Sequence, residues 1–410
     1  MTQAYRLNKE GLINREKKIS FKFNGKKYFG YEGDTIASAL IANGIHLVGR
    51  SFKYHRPRGF VGAGVEEPNA KLTVEFNGHS EPNINATEME LVEGLSATSQ
   101  NCWPSVNFDI GAINNFLKIF FPAGFYYKTF MWPKSFWYKI YEPFIRKAAG
   151  LGVASLEKDK ERYEHKFEYC DLLVTGSGPS GLASAYAAAK NGAKVILAED
   201  KPRFGGSLLT DDVSIDNLSG KDWAEKIIGE LKTMPNVTIK NRSQVFGYYD
   251  HNMLVMFERV SDHLENKTKF TPRQRLWYIR AKETILSTGS IERPIVFGNN
   301  DTPGVILSSA AKEYMKVYGV LVGKKPLIFT NNDSAYETAL EFKKNNVEPI
   351  ILDTREEQSS ELIEEAKSKG IDIKFSHGVI VANGYKKVKS AKIGKLNKDK
   401  TGFEKIETID

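Results

Sequence analysis

The chain has 410 residues, 41% of them hydrophobic, with a net charge of +8, enough for two or three cores at roughly 100–200 residues per domain. Its two cysteines, Cys102 and Cys170, lie far apart and offer no disulfide framework and no CxxC or Cys/His spacing for zinc, an iron–sulfur cluster or a redox dithiol, which fits a reducing, cytoplasmic setting. The first residues, MTQAYRLNKEGLINREKK, lack the apolar core of a secretory signal, and no stretch approaches the roughly 20 apolar residues of a membrane span.

The basic excess is local, because residues 1–60 hold 12 Lys/Arg against 4 Asp/Glu. Such an end could face nucleic acid, an anionic ligand or an acidic partner, or it could be a solvated strand surface. Residues 19–31, ISFKFNGKKYFGY, alternate apolar and polar on both sides of Asn24-Gly25, the strongest short signal for a two-residue hairpin. Asp34 then reads as the cap of a short helix, TIASALIANG, closed by Gly44. With the strand AKLTVEFNG at 70–78, these elements predict a small ubiquitin-like or ferredoxin-like β-grasp. In plant-type ferredoxins the loop after the helix carries cluster-binding cysteines. Here that loop is SFKYHRPRGFVGAG, residues 51–64, which is basic and has no cysteine.

Residues 116–144 contain thirteen aromatic residues, broken by Pro122, Pro133 and Pro143 and carrying four lysines. They read either as an irregular connector packed on the next domain or as a contact surface for another subunit, where aromatics are enriched. Residues 150–166 are polar and read as a final linker.

The clearest chemistry lies at 171–199: a strand DLLVT, the turn GSGPSG, a helix ASAYAAAKNG and a strand AKVILAE. In such a βαβ unit Gly176 permits the tight turn, Gly178 lets backbone approach a pyrophosphate, and Gly181 allows close helix packing; Pro179 and Ser180 open the helix. Glu199 ends the second strand, where a carboxylate takes the hydroxyls of an adenosine ribose and repels a 2′-phosphate, favouring NAD over NADP. Gly205-Gly206-Ser207 forms a second glycine turn. Residues 237–285 read as a β-meander, and TILSTGS ends in a Thr288-Gly289 turn. This order predicts a Rossmann-type two-dinucleotide-binding-domain flavoprotein fold, in which that turn lies beside the nucleotide.

A second βαβ candidate spans 325–353 and ends at Asp353, but its turn, TNNDSA, has no glycines. Bulkier side chains, and Asp333 at the helix start, oppose a pyrophosphate there. The fold is expected to be kept and the second nucleotide site lost. No Ser/His/Asp order, paired carboxylates or metal-ligand spacing offers a catalytic or metal site, and His55 reads as a local hydrogen-bonding residue.

Taken together, SFKYHRPRGFVGAGVEEPNA, SQNCWPS, PAGFYYKTFMWP, YEPFIRKAAGLG, TGSGPSGLASA, STGSIERPIVF, NDTPGVILSSA and TNNDSAYETA closely resemble the α subunit of heterotetrameric sarcosine oxidase. The resemblance implies an α+β and α/β chain: a cluster-less ferredoxin-like domain at 1–100, the aromatic connector at 101–166, and an FAD/NAD(P)-type dinucleotide-binding domain at 167–410. It implies NAD contacts at Ser180, Glu199, Asp200, Lys201, Ser207 and Val245, and no catalytic residue in this chain. It further implies β, γ and δ partner subunits, with FAD and FMN in the β subunit, which oxidises sarcosine. The products would be glycine, hydrogen peroxide and formaldehyde, or methylenetetrahydrofolate when tetrahydrofolate binds in a C-terminal half that this chain lacks. The chain is accordingly expected to be truncated within its nucleotide domain and inactive alone. The corresponding subunit of an opine, glycine or proline oxidoreductase, or a non-catalytic NAD-binding scaffold, are the alternatives. Arg56 and Arg58 are expected to pair with acidic groups of a neighbouring domain or subunit.

Overall fold

A computed structural model describes residues 3–410 except 77, 122, 123, 125–129 and 266, so most of PAGFYYKTFMWP lies outside the described residues. The chain divides into two compact units, Met1–Leu156 with Glu292–Asp410, and Glu157–Ile291. The span 167–410 is therefore shared between them.

In the first unit, β1 (Asn14–Phe23) and β2 (Lys26–Glu32) pair antiparallel around Asn24 and Gly25, whose φ angles of 47° and 76° are those of a primed hairpin turn. The helix α1 (Ile36–Ala42) is buried along its whole length. Its N-cap is Thr35, in a capping box with Ser38, and not Asp34. Asp34 is drawn off by stronger partners: it accepts from the Tyr31 N–H and the Ser38 hydroxyl and pairs with Arg6 at 2.6 Å. The short ladder of β3 (Gly49–Arg50) and β4 (Pro57–Arg58) carries the basic loop. With β5 (Lys71–Phe76), β6 (His79–Asn85) and β7 (Ser96–Ser99), the main sheet runs β2-β1-β7-β5-β6, and β1 and β7 are parallel. This is the ferredoxin-like β-grasp. The described residues of the connector that follows hold short 3-10 turns, a π-helical turn at Trp137–Tyr141 and the helix α2 (Glu142–Ala148).

The second unit is built on β8 (Tyr163–Thr175), which begins inside the stretch expected as linker. It continues through α3 (Pro179–Lys190), β9 (Val195–Ala198), the short pair β10 (Ser214–Ile215) and β11 (Leu218–Ser219), α4 (Gly220–Thr233), β12 (Val237–Lys240), β13 (Ser243–Tyr249), β14 (Met253–Arg259) and β15 (Gln274–Leu286). The sheet order is β12-β9-β8-β15-β14-β13. Residues 237–240, expected to open the meander, instead pair parallel with β9, so the meander itself is β13-β14-β15. Apolar residues of β8 and β9 are buried on both faces, as a covered parallel sheet requires. Leu182 of α3 and Leu231 of α4 pack with Val174 and Leu197 on one side. Cys170, Leu173, Met256 and Ile279 fill the other. Each fully buried leucine contributes roughly 1.5–3 kcal/mol.

The remainder of the first unit has α5 (Ser308–Lys316), β16 (Leu327–Thr330), α6 (Ser334–Lys344), β17 (Ile350–Asp353), α7 (Glu361–Ser368) and β18 (Asp372–Phe375), the three strands forming a parallel sheet. An antiparallel β19 (His377–Gly384), β20 (Val388–Leu396) and β21 (Phe403–Ile409) closes it. Among the described residues no helix is long and apolar enough to cross a membrane.

Candidate dinucleotide site

The glycine turn sits where β8 ends, and each glycine has its own steric reason. Gly176 has φ 97°, and a Cβ there would lie 2.2 Å from the Ser287 carbonyl oxygen. A Cβ on Gly181 would meet the Gly176 oxygen at 2.0 Å. Gly206 leans on Gly178, where a side chain would come 2.9 Å from the Gly178 Cα. Gly178 differs from these, since a Cβ there would meet nothing within 4 Å. Its open face lets a ligand's backbone-hugging group come close, which is what a pyrophosphate needs.

Gly178 is also the N-cap of α3, with Pro179 in the first turn and no side chain capping the helix. The first N–H groups are thus available to an anion, with the helix dipole behind them. Pro179, Ser180, Gly206, Ser207, Thr288 and Gly289 are exposed around this opening, while Gly205 is buried. Thr288-Gly289 comes beside the glycine turn because β15 runs parallel to β8, pairing Leu286 with Thr175, and the Ser287 N–H donates to the Thr175 oxygen at 2.8 Å.

Glu199 is 6% exposed at the end of β9. Its carboxylate accepts the Ser177 N–H at 2.9 Å, the Ser177 hydroxyl at 2.5 Å and the Lys201 N–H at 3.0 Å. Burial first, then a hydrogen bond with Asp200 and that residue's charge, pushes Glu199 up to about 7 against the lowering effect of Ser177 and Lys201. Ser177 also accepts from the Gly205 N–H at its hydroxyl and its carbonyl, both at 3.1 Å, and so ties the two glycine turns together. Ser177 escaped the sequence reading; its place between two motif glycines was the available signal. Arg259 escaped too, and its guanidinium donates to the Asp200 carbonyl at 2.7 Å. Lys201 accepts the Arg242 N–H, and the Ser243 N–H donates to the Glu199 carbonyl, so β13 starts against this corner. Val245 lies on β13, opposite Met256, and packs on the core beneath. The fourteen residues singled out in the sequence therefore fall on the end of β8, the two glycine turns, the end of β9, the start of β13 and the turn after β15. Open glycine, uncapped helix and ribose-type carboxylate fit an adenine dinucleotide.

The second βαβ is closed by its own side chains. Arg355 bonds Asp353 through Nε at 3.0 Å and reaches both Asp353 and Asp333 through Nη2 at 2.7 Å, while the Tyr336 hydroxyl donates to Asp353 at 2.9 Å. Asp353, the counterpart of Glu199, is fully buried under these partners. The Asn332 side chain accepts from the Ser334 N–H at the helix start, where a phosphate would bind.

The basic loop is fastened within the first unit. Arg56 grips Asp301 through Nε at 2.7 Å and Nη2 at 2.6 Å, and Arg58 bonds the same carboxylate. Burial raises the Asp301 carboxyl, but the two guanidinium groups outweigh it and hold the group below its ordinary range. His55 bonds Asp109 at 2.7 Å, the local role expected of it.

Fold and site define a flavoprotein-type oxidoreductase chain preceded by a ferredoxin-like domain. Residues 171–248 match the FAD dependent oxidoreductase family, and residues 16–102 match the 2Fe-2S iron-sulfur cluster binding domain. The more particular relationship is to sarcosine oxidase: the chain is homologous over most of its length to its α subunits, being 52% identical over 353 residues to that of Rhizobium meliloti, across 86% of this chain and 36% of the relative. It thus spans about a third of the length of that relative. An opine oxidase subunit of Agrobacterium tumefaciens is 28% identical over 174 residues, covering 40% of this chain and 33% of that protein. In fold, the chain resembles the crystal structure of L-proline dehydrogenase from P. horikoshii, with a TM-score of 0.58 and 20% identity over 95% of this chain and 59% of that one.

The matched span 16–102 contains a single cysteine, Cys102, whose thiol is pushed up to about 11 by burial. A 2Fe–2S cluster needs four ligands, thiolates or imidazoles, and the residues do not fit one. Carboxylates organise the loop instead. Buried Glu67 accepts the N–H groups of Val61 at 2.6 Å, Gly62 at 2.8 Å, Asn69 at 2.7 Å and Ala70 at 3.2 Å. Glu66 accepts those of Ala63 at 2.7 Å and Gly64 at 3.0 Å. Among the described residues no cluster of three or more His, Cys, Asp or Glu could hold a metal ion.

Proposed function

We propose that this chain is the nucleotide-holding portion of the α subunit of a sarcosine-oxidising flavoenzyme complex, with NAD in the site at Gly178 and Glu199. The observation that carries the reading is the open Gly178 turn beside a buried strand-end carboxylate, in a chain 52% identical to a sarcosine oxidase α subunit. In this reading the α3 N–H groups and Gly178 receive the pyrophosphate, and Glu199, Asp200 and Lys201 receive the ribose. Ser180 and Ser207 stand at the mouth, Thr288 and Gly289 flank it, and Val245 meets the adenine through its backbone. Carboxylates repel a 2′-phosphate, so the adjacent Glu199 and Asp200 oppose NADP.

No side chain of this chain stands, in this reading, in a role of acid, base or nucleophile. Amine oxidation belongs instead to a β subunit carrying FAD and FMN, with γ and δ subunits completing the complex and tetrahydrofolate bound outside the present residues. The products are glycine, hydrogen peroxide and formaldehyde or methylenetetrahydrofolate, and the setting is cytoplasmic. FAD in the site at Gly178 is the second reading, favoured by the FAD dependent oxidoreductase match over residues 171–248. An opine-oxidising complex is the alternative at the level of substrate, supported by the opine oxidase likeness. Mass spectrometry of nucleotide released from the purified chain separates the cofactors: NAD is expected, FAD would reassign the site, and release of neither would overturn it. The chain with sarcosine alone is expected to form no hydrogen peroxide.

A further inference from the structure

The first unit contains a cavity of about 950 Å³, bounded by the β1-β2 hairpin, the segment after α1, residues 105–107 and the β19-β20 hairpin. Four lysines line it: Lys26 from one hairpin and Lys386, Lys387 and Lys389 from the other. No aspartate or glutamate does, and all four lysines are exposed at the rim. Clustered ammonium groups repel one another, so the arrangement is least costly when an anion neutralises it. The field is felt inside the cavity: burial, then the charge of Lys387, holds His46 below its ordinary imidazole value.

The rest of the wall is mixed, with Phe23, Tyr28, His46 and Tyr385 contributing rings and Asn24, Ser105 and Asn107 polar groups. The frame is fixed before any ligand arrives. The Asn24 side chain donates to the Ser99 hydroxyl at 3.0 Å and accepts the Ser99 N–H at 2.9 Å, locking the first hairpin. Gly384, at φ 146°, leaves no room for a Cβ, which would lie 2.0 Å from the Lys387 oxygen. The Val388 N–H donates to the Pro303 oxygen at 2.9 Å, and Arg50 donates to the Tyr385 hydroxyl at 3.0 Å while also holding the Val106 carbonyl. A volume of this size is that of a small-molecule pocket.

We propose that this cavity is a second ligand site, for a small aromatic polyanion whose ring lies among Tyr28, His46 and Tyr385 and whose anionic groups meet Lys26, Lys386, Lys387 and Lys389. Phosphates and clustered carboxylates share this chemistry. The site is independent of the dinucleotide reading, and its test is run with NAD saturating, so each idea fails separately.

Pyridoxal 5′-phosphate, a ring with a phosphate and an aldehyde, is the probe. Borohydride reduction followed by peptide mass spectrometry should find adducts concentrated on the four lysines at one equivalent of reagent. Inorganic tripolyphosphate and triglutamate serve as competitors; protection by the first alone marks a phosphate ligand, by the second alone a polycarboxylate, and either supports the site. The variant K386A/K387A/K389A, on an exposed hairpin, should melt like the parent and bind tripolyphosphate at least about tenfold more weakly, near 1.4 kcal/mol. Adducts scattered over surface lysines, unprotected by either competitor, would overturn the proposal, as would unchanged tripolyphosphate affinity in the variant.

Discussion

Glu199 couples the site to pH. Its folded value near 7 lies above the ordinary 4.5, so the folded state binds the proton more tightly than the unfolded chain. The stability associated with the neutral carboxyl is fully present below about pH 4.5 and is lost as pH rises through about 7, amounting to about 3 kcal/mol at 1.36 kcal/mol per unit. Glu199→Gln should therefore flatten the pH dependence of unfolding between pH 5 and 8, measured by chemical denaturation; an unchanged slope would contradict the assignment. Because ribose hydroxyls donate to the ionised form, NAD affinity should rise with pH up to about 7, and calorimetry in buffers of different ionisation heat should show proton release. Glu67 makes a second residue-scale case. Four N–H groups converge on it, so Glu67→Ala leaves several buried donors unmet and should cost about 3 kcal/mol or more, read as a lower denaturation midpoint. The motif glycines and Glu199 were legible in sequence because the tight turn and strand ends of a βαβ unit fix their spacing. Glu67 was not, because a carboxylate that satisfies loop N–H groups has no fixed spacing.

Among the elements, the basic loop and the second βαβ unit each turn on one ion-pair cluster. Asp301 serves Arg56 and Arg58 together, and its side chain is 27% exposed. Asp301→Ala should destabilise the protein by about 1–2 kcal/mol, more than an exposed pair would, since two guanidinium groups lose their shared partner; a change within about 0.3 kcal/mol would show the cluster to be idle. Both arginines were expected from sequence to pair with acidic groups of a neighbouring domain or subunit; the partner is Asp301, more than 240 positions away but in the same compact unit. In the second βαβ unit the lost glycines could be read directly. The closure by Arg355 could not, because it joins the ends of a strand and a helix only after folding. NAD should bind once per chain, and Arg355→Ala should leave that stoichiometry at one by calorimetry; a second equivalent in the variant would show that Arg355 alone blocks the second turn.

At the scale of the whole molecule, the connector presents large apolar side chains to solvent: Phe116 is 85% exposed, Trp132 83%, Tyr138 83% and Phe144 67%. Large apolar side chains exposed in number are a mark of interaction segments, and in the proposed complex this segment is expected to meet a partner subunit. Phe116→Ser with Trp132→Ser should leave the melting temperature of the chain within about 2 °C while abolishing co-purification with co-expressed partner subunits; intact co-purification would place the interface elsewhere.

The sequence by itself determined the β-grasp hairpin, the βαβ unit with its glycine turn and strand-end carboxylate, the lack of cluster-ligating cysteines and the glycine-free second turn, since each depends on residues close in the chain whose spacing backbone geometry imposes. Only the tertiary structure decided which pairs of distant groups meet: Ser177 with Glu199, Asp301 with the loop arginines, Arg355 with Asp333, and lysines of two remote hairpins around one cavity. Those contacts depend on how sheets and turns close on one another, and a linear spacing carries no record of that.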